Sequence, residues 1–104
     1  MKSIIQSEKC CYITGRTDLL EEHHIFGGRP NRKNSEKYGL KVHLTHDYHN
    51  EPPNGVHHNK ELMKELHEVG QRAFEKKHGT RADFIRIFGR NYLDEDPAWE
   101  FDKK

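Results

Sequence analysis

Histidines are concentrated in one short part of this chain of 104 residues. Five of its nine histidines lie between His43 and Asn59, and a vicinal pair, His23-His24, lies about twenty residues upstream. An isolated surface histidine is the commoner case, but neutral imidazole is also the commonest metal ligand in proteins. A two-stranded hairpin would bring three histidine pairs together at one end: His23/His24, His46/His49 and His57/His58. The pattern therefore favours a metal site that ties separate segments together.

The composition makes such a cross-link useful. Hydrophobic residues make up 32% of the chain and charged residues 34%, so the core of so short a chain must be thin. Small domains of this kind are often stabilised by a metal or a partner. The two cysteines are adjacent, Cys10-Cys11, and close no useful disulfide loop. With no apolar run approaching the ~18 residues of a membrane span, we expect no membrane partner and a cytoplasmic location.

Charge is distributed unevenly along the chain. The last eleven residues, 94–104, hold five acids and two lysines, which leaves residues 1–93 with a net charge of +4. We therefore predict a single domain over residues 1–93, followed by an acidic C-terminal tail at 94–104. A basic segment, Arg29–Lys41, either is a solvated loop or contacts phosphate groups. The candidate phosphate-binding residues are Arg29, Arg32, Lys33 and Lys37.

Two strands are predicted in the first half. Leu19–Phe26 is typical of a strand ended by Gly27-Gly28, and Leu40–Thr45 alternates apolar and polar residues. The polar stretch between them, Arg29–Lys37, is predicted to be a loop. Consecutive strand residues point to opposite faces, so His23 and His24 share a site only if the strand bulges or ends there.

Two helices are predicted in the second half. One begins between Asn54 and Asn59 and ends near His78, with Gly79 in the capping position and an apolar stripe of Leu62, Leu66, Val69 and Ala73. The second, at about 80–89, opens with a capping box at Thr80 and Asp83 and packs through Phe84, Ile85 and Phe88. The predicted fold class is α+β: a ββα core at about 10–78, with a short antiparallel hairpin packed on a helix, and an additional C-terminal helix.

The order of these motifs resembles the HNH, or ββα-metal, nucleases. The resemblance lies in His23-His24-Ile25, a strand ending at Leu44, and then His49 and His57, and it is closest to small HNH proteins of phages and prophages. It extends over about residues 10–60. Many members also have four zinc-binding cysteines around the hairpin. In this chain the corresponding four positions are Cys11, Thr14, Thr45 and Tyr48. Because three of the four cysteines are replaced, no structural zinc is expected.

The resemblance implies a metal-dependent endonuclease that hydrolyses DNA phosphodiester bonds, in a bacterial host or encoded by a phage. His24 would be the general base, and His23, His49 and His57 would hold one divalent ion, which could be Mg²⁺, Mn²⁺, Zn²⁺ or Ni²⁺. His58 and His46 are alternate ligands. The family's middle Asn position is Leu40 here, so its orienting role would pass to Asn34, Asn50 or Asn59. DNA is the expected partner, with a homodimer or a larger DNA-processing partner for specific cleavage.

Two other functions are consistent with the sequence. One is a zinc-stapled nucleic-acid-binding module that keeps the same three ligands and cleaves nothing. The other is a helical partner-binding protein anchored by Trp99 and Phe101 in the tail. The remaining histidines are set aside: His43 as a solvated strand residue, and His67 and His78 as helix residues too far from the cluster.

Overall fold

A two-stranded sheet and four helices form the part of the chain that the computed structural model describes, residues 1–93. The predicted acidic tail and its Trp99 and Phe101 lie outside the described residues. The elements in chain order are β1 Leu20–His24, α1 Asn31–Tyr38, β2 Lys41–Thr45, α2 His46–Asn50, a 3₁₀ turn at Val56–His58, α3 Lys60–Lys77 and α4 Arg81–Phe88. The α+β class is confirmed, and the arrangement is compatible with a ββα core that carries an additional C-terminal helix.

The two strands pair antiparallel in a regular register. His23 lies opposite Val42 and His24 opposite Lys41, with one residue against one along the whole ladder. The first strand, Leu20–His24, is shorter than the predicted Leu19–Phe26. Because the register is regular, it contains no bulge at the histidine pair. The N-terminal segment covers the outer edge of β2, because Tyr12 N–H donates to the carbonyl of His43 and the N–H of His43 donates to Gln6 Oε1. His43 is consequently half-buried rather than solvated.

The segment predicted to be a loop at Arg29–Lys37 contains a helix instead, α1. Its buried Ser35 accepts from the N–H of Phe26 and donates to the carbonyl of the same residue, which fixes the helix to the end of β1. Gly39, with φ of 74°, ends it in the left-handed conformation that glycine tolerates best. A helix held mainly by polar contacts has no apolar periodicity, so the sequence pattern did not predict it.

Helix α3 lies close to its predicted position and packs through a slightly different face. Asn59 caps it by accepting from the N–H of Leu62, which places the start at Lys60. The buried residues are Leu62, Leu66, Gly70, Gln71 and Phe74, whereas the predicted Val69 and Ala73 are only half-buried. The helix ends at Lys77 with His78, not Gly79, as its cap.

Helix α4 completes the core. The predicted capping box is confirmed, since Thr80 Oγ1 accepts from Asp83 N–H and Asp83 Oδ2 accepts from Thr80 N–H. Phe84 and Phe88 are buried against Phe26, but Ile85 is exposed. Within residues 1–93, no helix is both long enough and apolar enough to cross a membrane.

Candidate metal centre

Three imidazoles from three separate elements converge at one end of the hairpin. His23 lies on β1, His49 on α2 and His57 on the 3₁₀ turn, with ring centroids 5.0 to 5.3 Å apart. One ring nitrogen from each lies within 4.8 Å of the other two, so the group could hold a metal ion. The predicted convergence of these three residues is confirmed. We call this group the triad.

The inner member of the triad is His23, whose side chain is almost entirely buried. The residue is 4% exposed, and its Nε2 has no hydrogen-bond partner among the described residues. Burial, with smaller contributions from charges on His49 and His57, lowers the pKa of His23 to about 3. The ring therefore stays neutral at physiological pH and keeps a lone pair. A buried ring nitrogen without a partner costs about 1–3 kcal/mol, which a bound cation would remove. The residues present thus fit a metal.

His49 is held by a carboxylate that the sequence analysis missed. Its Nδ1 lies 2.8 Å from Glu21 Oε1, so Nδ1–H donates and Nε2 is left for the ion. Asn50 Nδ2 donates to the same oxygen. Glu21 lies two residues before His23 on β1, and therefore on the same face of the strand. Such carboxylate–histidine pairs fix the tautomer and the ring orientation of metal ligands. The alternation pattern could have identified Glu21.

The two predicted alternate ligands do not belong to the triad. His46 contacts Glu21 through Nδ1 and Glu51 through Nε2, each at 2.8 Å, and the hydrogen bond to Glu21 is the main reason that its pKa is raised. With both ring nitrogens donating, His46 has no lone pair for a metal. His57 and His58 are both exposed, and it is His57 that belongs to the triad. Partial burial is the main reason that the pKa of His57 is lowered, and the charge on His49 lowers it further.

The predicted general base, His24, lies on the other face of β1. Because the register is regular, the triad does not include it. Its Nε2 lies 2.8 Å from Glu36 Oε1, so the ring donates to a carboxylate, and its Nδ1 makes no hydrogen bond with residues 1–93. The hydrogen bond from His24, followed by that from Lys41, lowers the pKa of Glu36 to about 2.

A second group of possible ligands surrounds His24, but it already contains a cation. Glu22, His24 and Glu36 each place one ligand atom within 4.8 Å of the other two. The ammonium group of Lys41 lies 3.2 Å from Glu22 and 3.0 Å from Glu36, and its side chain is only 10% exposed. Lys41 therefore supplies the positive charge that these carboxylates require. We call this group the Lys41 network.

None of the predicted orienting asparagines contacts His24. Asn59 caps α3, Asn34 donates to the carbonyl of Ile87 in α4, and Asn50 contacts Glu21. The family's Asn position, Leu40, is fully buried in the core. The side chain that contacts His24 is that of Glu36. It was missed because the segment was expected to be a loop.

Polar contacts connect three of the four positions that the resemblance aligns with the zinc-binding cysteines of HNH proteins. Cys11 is 1% exposed, its Sγ accepts from the N–H of Thr14 at 3.4 Å, and it lies 3.9 Å from Thr45 Oγ1. Tyr48, at the fourth position, packs against the hydrophobic core. These contacts join the hairpin at the positions where the family pattern has a zinc ion.

Three of the four predicted phosphate-binding residues lie near the start of α1, and the fourth, Lys37, lies in its last turn. Arg29, Arg32 and Lys33 are exposed and border a cleft of about 540 Å³, and the Lys37 ammonium lies 5.4 Å from the centroid of the Tyr38 ring. The phosphate-binding role assigned to these residues stays a prediction.

A comparison of the chain with protein-family models, curated proteins and solved structures finds no match in any of the three. The resemblance to HNH nucleases therefore depends on the residues themselves. The geometry establishes a three-histidine group that could bind a metal, with His49 hydrogen-bonded to Glu21. On the other face of β1, His24 contacts Glu36 of α1.

Proposed function

We propose that this protein is a metal-dependent endonuclease that hydrolyses DNA phosphodiester bonds. The observation that supports the proposal most strongly is the triad, in which a buried, neutral and unpartnered His23 Nε2 faces two further imidazoles. Three protein ligands leave coordination positions open for a substrate oxygen, as catalytic sites require. Imidazole ligands suit Zn²⁺ or Ni²⁺ better than Mg²⁺ or Mn²⁺, which prefer oxygen ligands. When bound, such an ion would neutralise charge on the scissile phosphate.

His24 is the proposed general base, and its contact with Glu36 supports that role. The carboxylate fixes the tautomer in which Nε2 is protonated and Nδ1 is free to accept a proton from water. A negatively charged partner also stabilises the imidazolium that forms. His24 is the last residue of β1, so a phosphodiester could contact both faces by lying across the end of the strand.

One observation favours a second function, the zinc-stapled nucleic-acid-binding module. The side chains of His23 and His24 project to opposite faces of a strand without a bulge, and a purely structural metal needs no base beside it. In this alternative, the triad stabilises a thin core, the Lys41 network stabilises the other face, and DNA is bound without being cut.

A plasmid-nicking assay with Zn²⁺, Ni²⁺, Mn²⁺ and Mg²⁺ tests the proposal. We expect nicking by the wild type, and a loss of about 10²–10⁴-fold in His24→Ala, the typical contribution of a general base. His57→Ala should lose both activity and bound metal. The matched control is His58→Ala, an exposed neighbour of the same residue type, which should retain both.

The two functions give different results. DNA binding and bound metal without any nicked product, under all four metals, would contradict the endonuclease proposal and support the binding module. Full nicking activity in His24→Ala would remove His24 as the base.

A further inference from the structure

A groove begins at the triad and runs along the first turns of α3. It encloses about 530 Å³ between α3 and the segment that follows α4, and His57 lines it at one end. The other lining residues relevant here are Lys60, Met63, Lys64, Arg90 and Tyr92. Because His57 belongs to both features, the groove adjoins the triad.

The groove has a positive rim. Lys60 and Lys64 are exposed and lie one helical turn apart, so their side chains project from the same face of α3. Arg90 lies on the opposite side, with its guanidinium carbon 4.5 Å from the centroid of the Tyr92 ring. No carboxylate occurs among the described residues that line the groove. Lys64 also forms an ion pair with Glu68 at 3.7 Å, and this contact is weak because it is exposed to solvent. A ligand that carries several negative charges fits this rim.

The inner surface of the groove is apolar at Met63 and Tyr92. An apolar surface beside a positive rim favours single-stranded over double-stranded nucleic acid. Met63 and Tyr92 are half-buried, and Tyr92 is fixed by ring contacts with His67 at 4.6 Å and Phe26 at 5.0 Å. The backbone of a duplex presents phosphates and sugars, with its bases stacked inside. A single strand presents bases as well, and these bind apolar and aromatic surfaces while the phosphates contact lysine and arginine.

We propose that this groove binds a single strand of DNA, with phosphates on Lys60 and Lys64 and a base against Met63 and the stacked Arg90 and Tyr92 side chains. The inference deepens the proposed function, on which it rests, by specifying single-stranded or locally unpaired DNA as the preferred substrate. It also assigns strand binding to α3 rather than to the basic cleft at α1.

Fluorescence anisotropy of a labelled 20-nucleotide single strand of mixed sequence tests the inference, with its duplex as the second probe. The variant is Lys60→Gln/Lys64→Gln. Lys76→Gln/Lys77→Gln is the control, since it removes the same charge at the other end of the same helix, ~24 Å away at 1.5 Å per residue. Each phosphate contact with a single strand contributes about 0.7 to the slope of log Kd against log salt. Loss of two contacts should reduce that slope by about 1.4 and weaken binding about 25-fold at 0.1 M salt.

We expect that loss of single-strand affinity for the variant and a change in Kd within about twofold for the control. The wild type should bind the duplex more weakly than the single strand. Circular dichroism should show the same helix content in all three proteins. Equal losses of single-strand affinity in the variant and the control would overturn the inference. Duplex binding at least as tight as single-strand binding would overturn it too. Anisotropy measures association and denaturing gels measure hydrolysis. Strand binding without products therefore contradicts only the endonuclease proposal, and cleavage with an unchanged Kd contradicts only the groove.

Discussion

Replacement of His23 by leucine separates the stabilising effect of a bound metal from the stability of the fold itself. In the metal-free protein, His23 Nε2 is buried without a partner, at a cost of about 1–3 kcal/mol. Leucine has a similar size and no polar atom to satisfy. We therefore expect metal-free His23→Leu to be at least as stable as the metal-free wild type, an unusual result for a change at a residue that is 4% exposed.

The metal-bound proteins should behave in the opposite way. A ligand at 100 times its Kd stabilises the folded state by about 2.7 kcal/mol. For a domain of this size, each kcal/mol raises Tm by about 4–8 °C, so the wild type should gain about 10–20 °C. His23→Leu keeps only two imidazoles of the triad and should gain no more than a few degrees. The two proteins thus exchange their order of stability when metal is added.

Thermal melts of protein dialysed against EDTA, with and without added ZnCl₂ at pH 7.5, measure both effects. His43→Leu is the matched control, since His43 is a half-buried strand histidine outside the triad, and it should show the full zinc shift. An equal zinc shift in His23→Leu and the wild type would refute the reasoning, as would a wild type that gains nothing from Zn²⁺, Ni²⁺, Mn²⁺ or Mg²⁺.

Three further changes test individual contacts. Glu21→Gln should weaken zinc affinity about 10–100-fold, measured by competition with a chromogenic chelator, because the ligand His49 loses its charged hydrogen-bond acceptor. Glu36 has a pKa lowered to about 2, so the stability it contributes is present above its ordinary pKa of 4.5 and is lost as the pH falls through 2. Urea denaturation should accordingly show Glu36→Gln to be less stable than the wild type at pH 6, with the difference disappearing near pH 2. In Gly70→Ala, the new methyl group would lie 2.9 Å from carbons of Ile25 and Phe26, and we expect a loss of about 1–3 kcal/mol despite the better helix propensity. In Gly27→Ala the new methyl group has nothing within 4 Å, so the free energy of unfolding, measured by chemical denaturation, should change much less.

Much of the fold was predictable because its elements have strong local signals. The apolar spacing of Leu62 and Leu66 gave α3 to within a few residues, and the capping box at Thr80 gave the start of α4. The hairpin predicted that three histidine pairs would converge at one end, and the resemblance to HNH nucleases selected one histidine from each pair.

The elements that were missed depend on contacts between distant residues. Helix α1 has no apolar stripe and is held by Ser35 to Phe26 and by Asn31 to the carbonyl of Phe88. Its Glu36 therefore could not be assigned to His24 from the sequence. Asn59, one of three asparagines considered for the orienting role, caps α3. A helix cap and an orienting amide are indistinguishable in the sequence without the position of the helix start.

The separation of His23 and His24 by strand β1 also makes the two proposed functions separable by experiment. Glu21, on β1, contacts His49 of the triad, whereas Glu36, on α1, contacts His24 on the other face of that strand. In an endonuclease, Glu21→Gln should lower both zinc affinity and the nicking rate, whereas Glu36→Gln should lower the nicking rate and leave zinc affinity unchanged. In a binding module, zinc affinity should respond to Glu21→Gln in the same way, while Glu36→Gln changes neither zinc affinity nor DNA binding at pH 7. The response to Glu36→Gln therefore shows whether the Lys41 network serves catalysis or only the stability of the fold.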